Sequence, residues 1–169
     1  MIKSLCKICL CAALLLPAGL NAQSLKFAHI NSDELVQAMP EAIEARKILE
    51  EEAKGLENQL KDLQDEYNKK LQDYVAQRDT LKQLAREAKE EDLNGLGERI
   101  QSFRNTAQQK IANKEKELLQ PIFDKARKAI EDVAKEQGVI YVFEESSVLY
   151  KSTQSIDLLP FVKKKLGIQ

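Results

Sequence analysis

The side chains in this sequence that are able to do chemistry are few, and they lie far apart along the chain. His29 is the only histidine, and the three cysteines, Cys6, Cys9 and Cys11, are confined to the N-terminus. A metal site needs three or four convergent ligands, so we interpret His29 as an ordinary strand residue. We expect no metal site and no cofactor.

Three other groups resemble parts of known sites, but each has a simpler structural interpretation. Asn94-Gly95-Leu96-Gly97 lacks the preceding strand and the third glycine of a phosphate-binding loop, and we interpret it as a turn between helices. Glu144 and Glu145 are adjacent carboxylates, which on an exposed turn are solvated rather than catalytic. Asp157 is expected to cap a helix. The sequence therefore predicts a protein that is not an enzyme.

The first 22 residues have the three parts of a secretory signal peptide. Two lysines precede an apolar stretch, residues 8–16, and a run of mostly small residues leads to an expected cleavage site after Ala22. A lipoprotein signal with Cys11 as the lipidated residue is an alternative, but Leu10 stands where a small residue is expected. Cleavage after Ala22 removes every cysteine, so we expect an exported protein without disulfides.

Charge gives little indication of a polyanionic partner. Without residues 1–22 the chain has 24 basic and 27 acidic residues, a net charge of −3 with His29 neutral. The two signs are interspersed, which indicates a solvated helical surface. This charge is not typical of a nucleic-acid-binding protein.

The middle of the chain, residues 41–137, has the apolar spacing of two long helices. Steps of three and four residues keep one narrow seam facing a partner helix. The seam of the first helix is Leu49, Ala53, Leu56, Leu60, Leu63, Tyr67, Leu71, Tyr74, Leu81, Ala85 and Ala88, and that of the second is Ile100, Phe103, Ala107, Ile111, Leu118, Ile122, Ala126, Ile130 and Val133. Arg78 and Lys114 interrupt the seams. We predict a projecting helical hairpin that turns at residues 94–97.

The N-terminal segment of the mature chain, residues 23–40, is predicted to contain a strand and a short helix. Residues 25–30 are apolar on balance and suit a strand. Ser32 or Asp33 then caps the helix. Pro40 ends that helix and suits the first turn of the next one.

The C-terminal segment, residues 138–169, begins at Gly138, which is expected to end the second long helix. The β-branched and aromatic run 139–143 suits a strand buried on both faces. Residues 148–150 suit the second strand of a β-hairpin. Residues 158–166 suit a final short helix.

The two segments outside the hairpin amount to only about 50 residues, which is marginal for folding alone. Their strands also leave apolar edges that need pairing. We therefore expect a symmetric homo-oligomer whose body is a shared sheet. The residues expected to form this oligomerisation body are Phe27, Ile30, Val139, Tyr141, Val142, Phe143, Val148 and Tyr150.

Several short motifs are distributed along the whole mature chain. They are Ile30-Asn31-Ser32, Val36, Met39-Pro40-Glu41, Ala134-Lys135-Glu136-Gln137-Gly138, Val142, Val148-Leu149-Tyr150 and Asp157. In this order and spacing they resemble the Skp/OmpH family of periplasmic chaperones. Each motif is weak by itself, and their arrangement is what is specific.

The resemblance implies a mainly α fold with a small β part. It implies a homotrimer in which strands of three subunits form a small β-barrel body, with three helical hairpins around a central cavity. Family members hold unfolded outer-membrane proteins there without ATP before membrane insertion. Further partners implied are the outer-membrane assembly machinery or the membrane surface. Tyr67, Leu71 and Tyr74 are our candidates for facing the cavity.

One departure from the family concerns charge. Well-known members are strongly basic, whereas this chain is slightly acidic, so we carry over no lipopolysaccharide site.

The alternative function is an envelope coiled-coil spacer or adaptor that docks one folded partner. A chaperone binds many unfolded chains and an adaptor binds few folded ones, which distinguishes the two.

Overall fold

The computed structural model describes residues 25–168, and the predicted signal peptide lies outside them. The elements in chain order are β1 (Phe27–Ile30), α1 (Ser32–Ala38), α2 (Pro40–Gln77), α3 (Gln83–Gln137), β2 (Tyr141–Glu144), a 3₁₀ turn (Glu145–Ser147), β3 (Ile156–Asp157) and α4 (Leu159–Leu166). The predicted fold class, mainly helical with a small β part, is confirmed. None of the helices in this part of the chain combines the length and hydropathy that crossing a membrane requires.

Helices α2 and α3 pack against each other as a long hairpin. They contain 38 and 55 residues, so at ~1.5 Å per residue they are about 57 and about 82 Å long. Residues 78–82 connect them. The amides of Thr80 and Leu81 both donate to the carbonyl of Gln77, at 2.9 and 3.1 Å, and these hydrogen bonds close the last turn of α2.

The turn predicted at residues 94–97 is wrong, because these residues lie inside α3. Leu93, Leu96 and Ile100 are buried at helical spacing. A glycine in a helix costs about 1 kcal/mol relative to Ala, whereas burying each large aliphatic side chain contributes about 1.5–3 kcal/mol. Burial on one face therefore outweighs the two glycines, and the helix continues through them.

Ion pairs across the hairpin agree with the observed turn. Lys70 Nζ lies 2.8 Å from Asp92 Oδ2, and Lys110 Nζ lies 2.6 Å from Glu52 Oε1. The members of each pair are equidistant in sequence from Leu81. The two helices are therefore aligned about a turn centred near that residue.

The predicted seams are confirmed over most of their length. Between Leu56 and Tyr74 on α2, and from Ile100 onward on α3, the predicted seam residues are buried or partly buried. Lys114 is also partly buried and interrupts the α3 seam as predicted. Other predictions for the first seam are wrong. Ala53 is exposed, Ala85 and Ala88 are exposed and belong to α3, and Arg78 and Leu81 lie in the turn.

The body contains a three-stranded parallel sheet in the order β2-β1-β3. Residues 27–30 align with residues 141–144 on one side, and Ala28 and His29 align with Ile156 and Asp157 on the other. The hairpin is the crossover between β1 and β2, and a long helical crossover is what a parallel pair needs.

The β-hairpin predicted from residues 139–143 and 148–150 is wrong. Residues 148–150 form no strand, and the second edge of β1 is taken by β3. The reason is the residue that follows β3. Leu158 is completely buried, and its amide donates to the carbonyl of His29 at 3.0 Å, so packing of Leu158 fixes β3 beside β1.

The core of the body lies between the inner face of the sheet and the helices. Its buried members are Ala28, Ile30, Leu35, Met39, Ala42, Ala45, Ile122, Ala126, Ala129, Val133, Leu158 and Val162. The first turns of α2 and the last turns of α3 therefore belong to the body core, and the remainder of the hairpin extends away from it.

In the body, the cap of α1 differs from the prediction and the end of α3 agrees with it. Asn31 caps α1, because its Oδ1 accepts from the amide of Glu34 at 2.9 Å. The predicted caps, Ser32 and Asp33, already belong to the helix. Gly138, with a φ of 65°, ends α3 as predicted, since this left-handed conformation favours glycine.

Candidate functional site

The two faces of the small sheet have different environments. Side chains of a strand alternate between faces. Ala28 and Ile30 of β1 are buried in the core, which makes their face the inner one. Phe27 and His29 therefore lie on the outer face of the sheet.

Three aromatic rings cluster on this outer face. Phe27 stacks on Tyr141 and Phe143 with ring centroids 6.3 and 6.4 Å apart, and the centroids of Tyr141 and Phe143 are separated by 6.0 Å. The exposed fractions are 42% for Phe27, 61% for Tyr141 and 45% for Phe143. The three rings therefore form a contiguous aromatic cluster that remains partly exposed within one chain.

Within a single chain the run 139–143 is buried on one face only, and its burial on both faces stays a prediction for the assembled protein. Val139 and Val142 pack against the body core, whereas Tyr141 and Phe143 are exposed on the outer face. The run is therefore continuous in hydrophobicity, but its two faces have different environments within one chain.

The eight residues predicted for the oligomerisation body fall into three groups. The outer-face group is Phe27, Tyr141 and Phe143, the inner-face group is Ile30, Val139 and Val142, and the loop group is Val148 and Tyr150. Leu149, between the two loop residues, is fully exposed. Ile30 is buried and the three valines are partly buried, whereas the exposed members are Phe27, Tyr141, Phe143 and Tyr150.

His29 has contacts that sequence reasoning missed. It lies on the outer face, yet it is only 6% exposed. Its Nδ1 lies 2.9 Å from Ser155 Oγ, and its Nε2 lies 3.1 Å from Lys151 Nζ. Both partners belong to the segment 145–155, which we call the strap. Both partners are more than a hundred residues from His29 in sequence. Only the alternation of side chains along β1 indicates that His29 shares a face with Phe27.

An ion pair within the strap joins Lys151 to Glu145. The hydrogen bond from Lys151 lowers the pKa of Glu145, and the charge of Lys151 acts in the same direction against desolvation. Glu145 therefore stays ionised at neutral pH. The strap and the outer face enclose an open cleft of about 980 Å³.

Along the hairpin, Tyr67, Leu71 and Tyr74 are partly buried in the seam. The hydroxyl of Tyr74 donates to the carboxylate of Glu90 on α3, and this hydrogen bond raises the pKa of Tyr74. That these three residues face a cavity stays a prediction.

A shallow apolar groove lies nearer the body, between α2 and α3. It has a volume of about 580 Å³. Its apolar lining is Ala53, Leu56, Leu60, Phe103, Ala107, Ile111 and Ala112. The sequence analysis assigned most of these residues to the seam. The feature of the sequence that indicates a groove is the small side chain at three of these positions, Ala53, Ala107 and Ala112.

Within residues 25–168 no group of three His, Cys, Asp or Glu side chains is placed to hold a metal ion.

A family model described as "Outer membrane protein (OmpH-like)" matches residues 26–166. The chain belongs to the Skp/OmpH family. This confirms the resemblance drawn from the motifs.

Two relatives of this Skp/OmpH chain are named Chaperone protein Skp. The protein of Yersinia enterocolitica is 27% identical over 144 residues, and that of Pectobacterium atrosepticum is 26% identical over 145 residues. Each alignment covers 83% of this chain and 88% of the relative. The relatives are thus chaperones by name and similar to this chain along most of their length.

The fold is shared with a solved structure. The crystal structure of a protein from Caulobacter crescentus that is described as OmpH-like superposes with a TM-score of 0.73 at 15% sequence identity. The superposition covers 84% of this chain and 83% of that chain. Both the body and the hairpin therefore have the Skp/OmpH architecture.

Proposed function

We propose that this protein is an ATP-independent holdase chaperone of the periplasm. A homotrimer holds unfolded outer-membrane β-barrel proteins in a cavity between three helical hairpins and prevents their aggregation before membrane insertion. The observation that carries the proposal is a long hairpin with a thin seam joined to a body with an exposed aromatic face, in a chain of a chaperone family.

The first step is assembly through the outer face of the sheet. Phe27, Tyr141 and Phe143 form an aromatic patch without a covering element in the described chain. The outer edges of β2 and β3 likewise pair with no further strand between residues 25 and 168. Open edges and exposed aromatic rings are both removed when copies of the chain join their sheets. The number three comes from the family resemblance.

The second step is enclosure by the hairpins. Only the base of α2 and α3 is packed in the body core, so most of their length extends away from it. Three copies related by a symmetry axis through the body place three hairpins around that axis. The space between them is sheltered from other unfolded chains, which is what prevents aggregation.

The third step is contact with the client. The groove lined by Leu56, Phe103 and Ile111 offers apolar contact, and each hairpin provides one such groove. Weak contacts from three arms act together through avidity. The mature net charge of −3 favours apolar contact and confinement over electrostatic attraction of acidic clients. Tyr67, Leu71 and Tyr74 add further candidate contacts near the middle of the arm.

The proposal is tested by aggregation of an unfolded outer-membrane β-barrel protein diluted from denaturant. We expect the chain from residue 23 onward to suppress light scattering at about one trimer per client, without nucleotide. A failure to suppress aggregation of several such clients would contradict the proposal. Capture of one folded protein with no effect on unfolded clients would instead indicate the adaptor role.

A matched pair of variants connects assembly to activity. Tyr141→Asp places a charge in the aromatic patch and is expected to dissociate the assembly and abolish suppression. Leu84→Asp places the same charge at the far end of the hairpin, where Leu84 is 80% exposed, and is expected to leave the assembly intact. Equal behaviour of the two variants would show that the outer face is not the interface.

A further inference from the structure

The contacts of His29 require a neutral imidazole in one tautomer. The Lys151 ammonium, 3.1 Å from Nε2, has hydrogens to donate and no lone pair. Nε2 must therefore be the acceptor. Nδ1 then carries the single ring hydrogen and donates it to Ser155 Oγ at 2.9 Å.

Protonation of the ring disrupts this arrangement. A proton on Nε2 occupies the lone pair that accepts from Lys151. It also places a second positive charge about 3 Å from the ammonium, where Coulomb repulsion is strong because the imidazole is withdrawn from water. Lys151 then has to leave, and the strap loses one of its two bonds to β1.

We infer that His29 is a pH-sensitive clip that holds the strap, residues 145–155, on the outer face of the sheet and releases it on acidification. Release opens the cleft between the strap and the aromatic residues Phe27 and Phe143. Leu149 and Tyr150 move with the strap. The inference concerns contacts within one chain and does not rest on the proposed chaperone function.

Two groups near the clip act in opposite directions on a protonated ring. The carboxylate of Glu145, from the 3₁₀ turn, attracts an imidazolium, but it is engaged by Lys151. The ammonium of Lys26, which precedes β1 and lines the same cleft, disfavours a further positive charge. The direct contact with Lys151 is the shortest of these interactions and sets the sign.

The remaining charged groups belong to the two neighbouring strands, and other contacts engage them. Glu144 of β2 accepts from the amide of Ser32 at 3.1 Å. Asp157 of β3, the register partner of His29, accepts from the amide of Leu159 at 2.9 Å. Each carboxylate fixes the start of a helix and makes no hydrogen bond to the imidazole.

Hydrogen exchange of the mature chain tests the clip directly. Protection is followed at the amides of Val148, Gln154 and Ser155, which donate hydrogen bonds within the strap. It is measured at about pH 7.5 and about pH 5.5, which spans the ordinary imidazole transition near ~6.5 and lies above that of ordinary carboxyl groups. After correction for intrinsic exchange, we expect protection to fall about tenfold at the lower pH, the effect of losing one charge-assisted hydrogen bond. A peptide covering residues 93–100 of the hairpin should not change.

Two variants separate the clip from general effects of pH. His29→Gln takes up no proton, so its strap protection should be the same at both pH values. Lys151→Gln has an amide that either donates to Nε2 or accepts from its proton, so it should keep the strap attached throughout. His29 is the only histidine, so no other imidazole contributes.

Three outcomes would overturn the inference. The first is strap protection in the unmodified chain that does not depend on pH. The second is a pH dependence that persists in His29→Gln. The third is a parallel loss of protection in residues 93–100, which would show that acidification unfolds the whole protein.

Discussion

The body core and the hairpin seam exclude water to different degrees. In the body, Leu35, Met39, Val133, Leu158 and Val162 are completely enclosed by a sheet and several helices. In the hairpin only a few side chains are buried, and most seam residues contact the partner helix on one side and water on the other. A residue enclosed on all sides has one packing arrangement, whereas a two-helix seam has neighbours on one side only.

This difference gives the two regions different roles. The body fixes the geometry of the sheet and of the outer face, since close-packed interiors resist deformation. The hairpin is held by a narrow seam and by a few polar contacts between its helices. These are the Lys70–Asp92, Glu52–Lys110 and Glu41–Lys125 ion pairs and the Tyr74–Glu90 hydrogen bond. We therefore expect the body to be the rigid part and the arms to adapt to what they hold.

The largest expected effect comes from emptying the body core. Leu35→Ala should lower the free energy of unfolding by about 3–4 kcal/mol, because its surroundings cannot collapse into the cavity. Leu96→Ala in the seam should cost about 2 kcal/mol, since two helices can close on each other. Urea denaturation at one protein concentration measures both. A larger loss at Leu96 would contradict the comparison.

A glycine substitution of intermediate effect tests where the hairpin turns. A Cβ added at Gly95 meets no atom within 4 Å, so Gly95→Ala should stabilise α3 by about 0.5–1 kcal/mol. At Gly138 the same change is expected to destabilise by about 1 kcal/mol, because φ is 65° and alanine disfavours the left-handed region. Denaturation midpoints give both values. Destabilisation by Gly95→Ala would indicate a turn at residues 94–97 after all.

The smallest effect concerns an ion pair at the base of the hairpin. The hydrogen bond from Lys125 lowers the pKa of Glu41 below its ordinary value of 4.5. Because the pKa of Glu41 is lower in the folded than in the unfolded protein, its ionised form stabilises the fold at pH values above 4.5. This stabilisation is lost as the pH falls through the pKa of the folded state. Both side chains are about half exposed, so the contribution is below ~1 kcal/mol.

Lys125→Met should therefore lower stability by a few tenths of a kcal/mol at neutral pH and make no difference once Glu41 is protonated. Chemical denaturation at neutral pH and at about pH 3 measures the change. The control is Lys116→Met, an exposed position on the same helix. An effect of Lys125→Met that grows on acidification would contradict the assignment.

Much of the hairpin was predictable from sequence, because a seam has a period. The spacing of Leu56, Leu60 and Leu63 identified the buried side of α2, and Gly138 identified the end of α3. The turn was not predictable in the same way. Gly95 and Gly97 are the strongest local turn signals in this region, but packing of Leu93 and Leu96 overrides them, and the observed turn contains neither Gly nor Pro.

The body was less predictable, because its pairing depends on distant residues. Residues 148–150 have better strand composition than Ile156 and Asp157, yet the latter pair with β1 because Leu158 is drawn into the core. The bonds of His29 depend on the same long-range arrangement. Sequence pattern identifies which residues suit a strand, but tertiary packing decides which strand forms.

We propose that other copies of the chain cover the exposed outer face of the body. The most direct measurement is the mass of the mature protein in solution by sedimentation equilibrium. We expect three times the mass of one chain, and the mass of one chain for Tyr141→Asp. A stable, compact monomer of the unmodified mature chain would contradict the account.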